Sequence, residues 1–460
     1  MTKLEEPTQM DALIRGGTIV LEQGCVAGSI AIKNGRIAGL LSPEVTAPAL
    51  ETINVPGCLI MPGLIDAHCH FSEPSLHVHR EDFWHGTRAA AAGGVTTVIE
   101  MPLNVPPPAD EASLMLKLKT AKENAHVDFA LWGALIPASI PNLQHLWELG
   151  CVAFKAFMAE VDDYQYMTDP LLFEALAKAA TFNGLVGVHA ENNDMISYYT
   201  KQLADAGCND GRAHAAGRPE LAELAAIKQA ILMAEKTGCR LYVVHTSIAE
   251  GVREIAQAKA HGVKVSVETC PQYLTLTQDD LVRCGPFAKC NPPLRSTENV
   301  DQLWQCIRDG LVDTIGSDHS PYPDDEREAG SNNIWKAPPG LAGLETMLPL
   351  LLDEGRRREI DLVTLAKLTS GNVARLFNLY PVKGVIQPGA DADLAIIDPK
   401  QEWTVDGLLS FSKTKSAKGP YQGRRLRGKV VATLLRGQVI YRDGQIIGKA
   451  GYGKFVSRVS

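Results

Sequence analysis

Hydrophobic and polar residues alternate at both ends of this chain, and longer periods take over between them. Near the start, Ala12-Leu13-Ile14-Arg15 runs into Gly16-Gly17, and Ile30-Ala31-Ile32 is followed by Asn34-Gly35. An Asn-Gly pair between two alternating runs predicts a hairpin, because both residues tolerate the positive φ of a tight turn. The same texture returns after Gly384, in Asp393-Leu394-Ala395-Ile396-Ile397 and Val430-Val431-Ala432-Thr433-Leu434-Leu435. The two ends are therefore expected to build one small β-sandwich domain, 1–60 together with 385–460, beside a central body, 61–384.

In that body, apolar strand-like runs alternate with helical stripes. From Arg218 onward, Leu221, Leu224, Ile227 and Ile231 mark a helix that Gly238 stops, and the next strand ends at His245. Ser247-Ile248-Ala249-Glu250 reads as a capping box opening another helix, closed at Gly262 before Val263-Lys264-Val265-Ser266-Val267. Repeated units of this size predict an α/β fold with a parallel sheet covered on both faces. About eight of them fit the span, which favours a closed (β/α)8 TIM barrel over an open sheet.

Composition narrows the partners. The 460 residues are 45% hydrophobic and 21% charged, with a formal net charge of −8. That balance offers no basic footprint for nucleic acid or anionic lipid, and no apolar stretch is long enough for a membrane span. The stretch Met1 to Ala12 is polar and acidic, without the apolar core of an export signal. Ten cysteines are scattered without paired spacing, as in a reduced, cytoplasmic protein.

Chemistry gathers where strand-like runs end. Leu64-Ile65-Asp66-Ala67-His68-Cys69-His70 turns both imidazoles to one side by alternation and Cys69 to the other, towards a core. Four further runs end near Lys155, His189, His245 and Asp318. In a parallel barrel the C-terminal strand ends meet at one mouth, so these residues are candidate ligands of divalent metal. Asp318 has two other readings, a helix cap or a partner of Arg295, and His319 is itself a candidate ligand. Lys155 is either a lysine whose stem is buried with its head in water, or one neutralised by capture of carbon dioxide as a carbamate, an anion able to bridge two metals.

The run Pro62-Gly63-Leu64-Ile65-Asp66-Ala67-His68-Cys69-His70 resembles the opening motif of the cyclic amidohydrolases, which include dihydroorotase, hydantoinase, dihydropyrimidinase and allantoinase. Resembling stretches extend over nearly the whole chain: Gly93-Gly94-Val95-Thr96-Thr97, Phe154-Lys155-Ala156-Phe157, Glu268-Thr269-Cys270-Pro271, Cys290-Asn291-Pro292-Pro293-Leu294-Arg295 and Ser317-Asp318-His319-Ser320. The resemblance implies a barrel enzyme with two divalent ions, usually zinc, with manganese, cobalt and nickel also compatible. It implies His68, His70 and Asp318 on the more buried ion, His189 and His245 on the outer one, and Lys155 bridging them as its carbamate. Asp318 is then the catalytic proton carrier. A homotetramer is implied in the same way.

Within the family, dihydroorotases carry an arginine two residues after the histidine pair, and this chain has Ser72. Hydantoinases and dihydropyrimidinases carry a tyrosine five residues after the lysine, and here Glu160 stands there. Glu100-Met101-Pro102-Leu103-Asn104, Ala288-Lys289-Cys290-Asn291-Pro292-Pro293 and Gly419-Pro420-Tyr421 resemble allantoinases, implying a small neutral cyclic ureide as substrate. Asn104, Asn291 and Gly340 are the candidate substrate-binding residues, the last two through backbone groups in loops. Two features depart from the allantoinase pattern: Gln272, where those enzymes commonly have histidine, and the loop from Ser75 to Trp84. His77 and His79 in that loop, with His85 just beyond it, are read as an exposed or helix-flanking cluster, with accessory metal binding as the sharper alternative. The rivals are a hydantoinase or dihydropyrimidinase and a metal-free, non-catalytic relative; the chain retains all six ligand positions of an active enzyme.

Overall fold

A computed structural model describes residues 9–45, 47–162 and 164–459. The first eight residues, part of the stretch read as lacking an export signal, lie outside them. The central body is an eight-stranded parallel barrel: Leu64–Cys69, Val95–Glu100, Asp128–Ala134, Ala153–Phe157, Leu185–His189, Arg240–Val243, Val265–Thr269 and Thr314–Ile315, each hydrogen-bonded to the next. The ring closes where the eighth strand meets the first, through a parallel bridge between Cys69 and His319, with the His70 N–H donating to the His319 carbonyl at 2.8 Å.

Residues pointing outward from the strands, such as Phe129, Phe154, Val186, Val188, Leu241, Val243 and Val267, pack under the surrounding helices. Cys69 joins this outer cluster, as its place between two histidines leads one to expect. Residues pointing inward fill the barrel below its mouth: Ile65, Ala67, Ile99, Ala130, Trp132, Leu185 and Tyr242, with Phe377 from below. Trp132 stacks on Tyr242 at 6.2 Å and donates its indole N–H to the Ala67 carbonyl. The barrel axis is therefore solid, and open space is left only at the C-terminal ends of the strands.

The chain ends come together in one mixed sheet of nine strands among the described residues. Leu59–Pro62 is its joint, pairing parallel with Met10–Leu21 on one side and antiparallel with Leu394–Thr404 on the other. The hairpin forms at Asn34-Gly35, both with positive φ, between Gly24–Lys33 and Arg36–Leu41. Ile14, Ile19, Ile30, Ile60, Leu394, Ile396 and Leu434 make this sheet's separate core.

Two local expectations are corrected. Ser247 does not cap the helix Ala249–Ala260; its hydroxyl is given to Glu223, and the free Ala249 N–H is met instead by the Asn299 side-chain oxygen at 3.0 Å. The Ser247 oxygen, which a cap would offer to a helix N–H, accepts instead from the buried Arg295 guanidinium at 2.9 Å, a charged donor that outcompetes the local backbone. The helix Glu220–Thr237 is rotated from its predicted stripe: Ala222, Ala226, Ile227, Ala230 and Ala234 are buried, whereas Leu221 is exposed. Small residues let this helix pack closely, and the turned face carries Glu223 inward to Arg295 at 2.8 Å.

Candidate metal centre

His68, His70, Lys155, His189, His245 and Asp318 all line one cavity of about 560 Å³ at the mouth of the barrel. Ligand atoms of His68, His70 and Asp318 lie within 4.8 Å of one another. The Nε2 atoms of His68 and His70 are 3.3 and 3.5 Å from Asp318 Oδ1. His189 and His245 form a second group, with His189 Nδ1 2.9 Å from His245 Nε2. The two groups adjoin, since the His68 and His245 rings are 5.1 Å apart.

The other readings of Asp318 fail on geometry. Arg295 is engaged by Glu223 and Ser247. No described helix starts at Asp318; the next begins at Asp324. His319 turns away from the cavity, with Nε2 3.1 Å from Glu81 and Nδ1 accepting the N–H groups of Gly343 and Leu344.

Carboxylates that the sequence reading passed over set the histidines in place. His68 Nδ1 is 2.6 Å from Glu268 Oε1, so this nitrogen carries the proton and Nε2 is left as a lone pair facing the cavity. Burial alone would raise Glu268, but His68, the Tyr242 hydroxyl and the His245 N–H outweigh it and hold it below the usual range. Gly316 is required beside it, because a Cβ there would come within 2.6 Å of Glu268 Oε2. Glu191 does for His189 what Glu268 does for His68, lying 2.7 Å from its Nε2. Burial would raise Glu191 as well, yet Arg218 and His189 keep it ionised. Its position two residues beyond a strand-terminal histidine was the available signal. Asp66 accepts from the backbone of His68 and from both donors of Ser317, tying the first strand to the eighth.

Burial, the largest influence on each, lowers His68 and His189 and pushes His70 and His245 well down. All four are thereby neutral, the state in which imidazole binds metal. Lys155 is wholly buried, and burial pulls its ammonium down to about 8 against the attraction of Asp318 and Glu268. Among the described residues, Lys155 Nζ and His68 Nε2, on the side chains that line the cavity, have no hydrogen-bond partner. Buried polar atoms without partners are costly. This donor set therefore fits cations, and the chain accepts positive φ at His245 (39°) and Asp318 (49°), at about 1–3 kcal/mol each, to present it.

The predicted substrate-binding residues also border the cavity, though not on equal terms. Asn104 has both ends of its amide committed, accepting from Lys117 and donating to the Phe71 and Glu73 carbonyls, so its side chain shapes the wall. Among the described residues, Asn291 Oδ1 is buried without a partner. Gly340 donates its N–H to the Lys289 carbonyl at 2.9 Å and its carbonyl accepts from Arg327, which makes it a wall residue with both backbone groups engaged. A Cβ there would meet the Ser320 carbonyl at 2.3 Å. Of the three histidines, His77 lines the cavity, while His79 and, in the helix Phe83–Ala92, His85 are tied to Glu326 and Asp82 at 2.7 and 2.8 Å.

A model of the amidohydrolase family matches residues 59–440, which take in all eight barrel strands and part of the sheet. The chain belongs to the amidohydrolase family. This amidohydrolase is 42% identical over 447 residues to an allantoinase of Rubrobacter xylanophilus, covering 96% of each chain. It is 36% identical over 451 residues to an L-hydantoinase of Paenarthrobacter aurescens, covering 97% and 98%. The solved L-hydantoinase (dihydropyrimidinase) from Arthrobacter aurescens superimposes with a TM-score of 0.95 at 36% identity, over 98% of this chain and 100% of that one. A solved D-hydantoinase gives 0.91 at 33% identity, over 97% and 99%. The family and its cyclic-amide chemistry are thus shared by relatives of both substrate types.

Proposed function

We propose that this cyclic amidohydrolase is an allantoinase, opening the five-membered hydantoin ring of allantoin by hydrolysis to give allantoate. The observation that carries the hydrolytic reading is the convergence of six widely separated donors on one cavity. The choice of allantoin rests on the cavity wall and the relatives. Ser72 lines the cavity where a dihydroorotase would place arginine, which favours a substrate without a carboxylate. Arg80, also on the wall, is paired with Glu326 at 2.8 Å. Glu160 lines it where a hydantoinase would place tyrosine, and the nearby Tyr164 hydroxyl is held by the Lys155 carbonyl and the Leu135 N–H.

His68, His70 and Asp318 would hold one divalent ion and His189 and His245 the other, with Lys155, carboxylated by carbon dioxide, shared between them. Zinc is the first candidate for both. When bound, such a pair acidifies water and polarises a carbonyl. Lys155 suits carboxylation because burial brings its amine towards the neutral, nucleophilic form. Asp318 takes the proton of the attacking water and returns it to the departing ring nitrogen, without which an amide nitrogen leaves poorly. Asn291 would meet the ring imide at the rim. A homotetramer in the cytoplasm completes the reading; among the described residues no helix is long and apolar enough to cross a membrane.

A hydantoinase or dihydropyrimidinase is the second reading, favoured by Gln272 and by the solved L-hydantoinase. Steady-state kinetics with allantoin, hydantoin, dihydrouracil and dihydroorotate separates the two. The highest kcat/KM is expected for allantoin, and a clear preference for any of the other three would replace the proposal. Fewer than one ion per chain in carefully prepared protein would favour the non-catalytic relative.

A further inference from the structure

We infer that Gln272 is a positioning residue that fixes the orientation of the Asp318 carboxylate, an inference that rests on the reading of Asp318 as proton carrier. Asp318 is anchored at only one oxygen by the histidines, Oδ1 facing His68 and His70. Its other oxygen, Oδ2, accepts from Gln272 Nε2 at 3.2 Å. Only the NH2 end of an amide can face a carboxylate, so the polarity of this contact is set by chemistry.

The need for such a tether follows from the backbone. Asp318 has φ of 49°, off the extended geometry of the strand before it, so strand direction does not aim its side chain. Without a second contact the carboxylate turns about its last bond, whose profile is broad. Gln272 itself is well held. It is 3% exposed and sits in the short helix Pro271–Thr275 directly after the seventh barrel strand. The two residues after it are anchored: the Tyr273 hydroxyl donates to the Pro292 carbonyl at 2.9 Å, and the Trp304 indole donates to the Leu274 carbonyl at 2.8 Å. Glutamine also donates without adding charge, which leaves Asp318 an acceptor for the proton in transit.

Other clusters outside the site are already closed. Glu81 is occupied by His319 and Ser412, and Asp128, Asp391 and Asp393 share Lys383. Gln272 is the buried donor that reaches the reacting carboxylate.

The test compares Gln272→Met, which keeps the length and removes the donor, with Gln272→His, which restores an N–H, on whichever cyclic ureide the unmodified enzyme turns over fastest. Loss of a hydrogen bond to a charged group is expected to lower kcat about 10- to 100-fold in Gln272→Met. KM stays within about twofold and bound metal per chain is unchanged, while Gln272→His recovers most of the loss, as a donor role requires. Gln272→Ala gives the same reading should the methionine protein not accumulate. Unchanged kcat in the donorless variants overturns the inference, and so does a kcat loss matched by loss of metal. Asp318→Asn is measured beside them. If it is inactive while Gln272→Met is normal, this inference alone fails; if it is fully active, the reading of Asp318 fails first.

Discussion

Glu268 lies 2.6 Å from His68 across 200 residues of sequence, and both side chains are wholly buried. The contact assigns the imidazole its tautomer and points its free nitrogen at the cavity. Glu268→Gln is expected to weaken metal binding about 10- to 100-fold, the usual cost of removing a carboxylate behind a histidine ligand. Metal per chain after dialysis against a graded chelator series reads this directly; retention equal to the unmodified enzyme would make Glu268 a packing residue only.

Lys155→Ala distinguishes a bridging carbamate from a lysine that is merely buried. The expected result is activity near background and a fall in metal content from about two ions to about one per chain, because a shared anionic ligand is lost while the histidine pairs remain. Elemental analysis and single-turnover assay check it. Full activity with both ions retained would remove the carbamate.

His214 predicts an acid-side loss of stability. It is buried, donates Nε2–H to the Cys290 carbonyl at 3.0 Å, and is pushed down to about 3, first by burial and then by the charges of Lys289 and Arg218. Below about pH 6.5 the unfolded chain takes up a proton that the native state refuses until about 3. The stabilising contribution is therefore complete above about 6.5 and is lost as pH falls towards 3. Relative to His214→Gln, the unmodified protein should lose up to about 1.4 kcal/mol per pH unit in that window. Denaturant unfolding of both proteins at pH 7.5, 6 and 5 measures the difference, and parallel curves would contradict it.

Lys383 clasps the barrel to the sheet. Its ammonium lies 2.6 Å from Asp128 on the third barrel strand and 2.9 and 2.7 Å from Asp391 and Asp393, just before the strand Leu394–Thr404. Burial opposes its charge, but the three carboxylates prevail. Lys383→Met strands those carboxylates and is expected to cost about 3–5 kcal/mol. Thermal unfolding should show the loss while metal content at low temperature stays normal; an unchanged Tm would mean that the carboxylates relax into solvent.

The sequence by itself determined the barrel, the joining of the two ends in one sheet, and the order of the six donors. Those properties are local: period-two and period-3.6 patterns decide which residues form strands and helices, and a residue ending an apolar strand run is carried to the barrel mouth wherever it lies in the chain. Tertiary structure decided which polar side chains meet. Ser247 had the local signature of a cap and went to Glu223, Asn104 looked like a substrate contact and is held by Lys117, and Glu268 and Gln272 gained their partners only once the strands of the barrel came together. Hydrogen-bond partners across hundreds of residues are selected by barrel register and by competition among buried acceptors, and neither leaves a periodic trace in the chain.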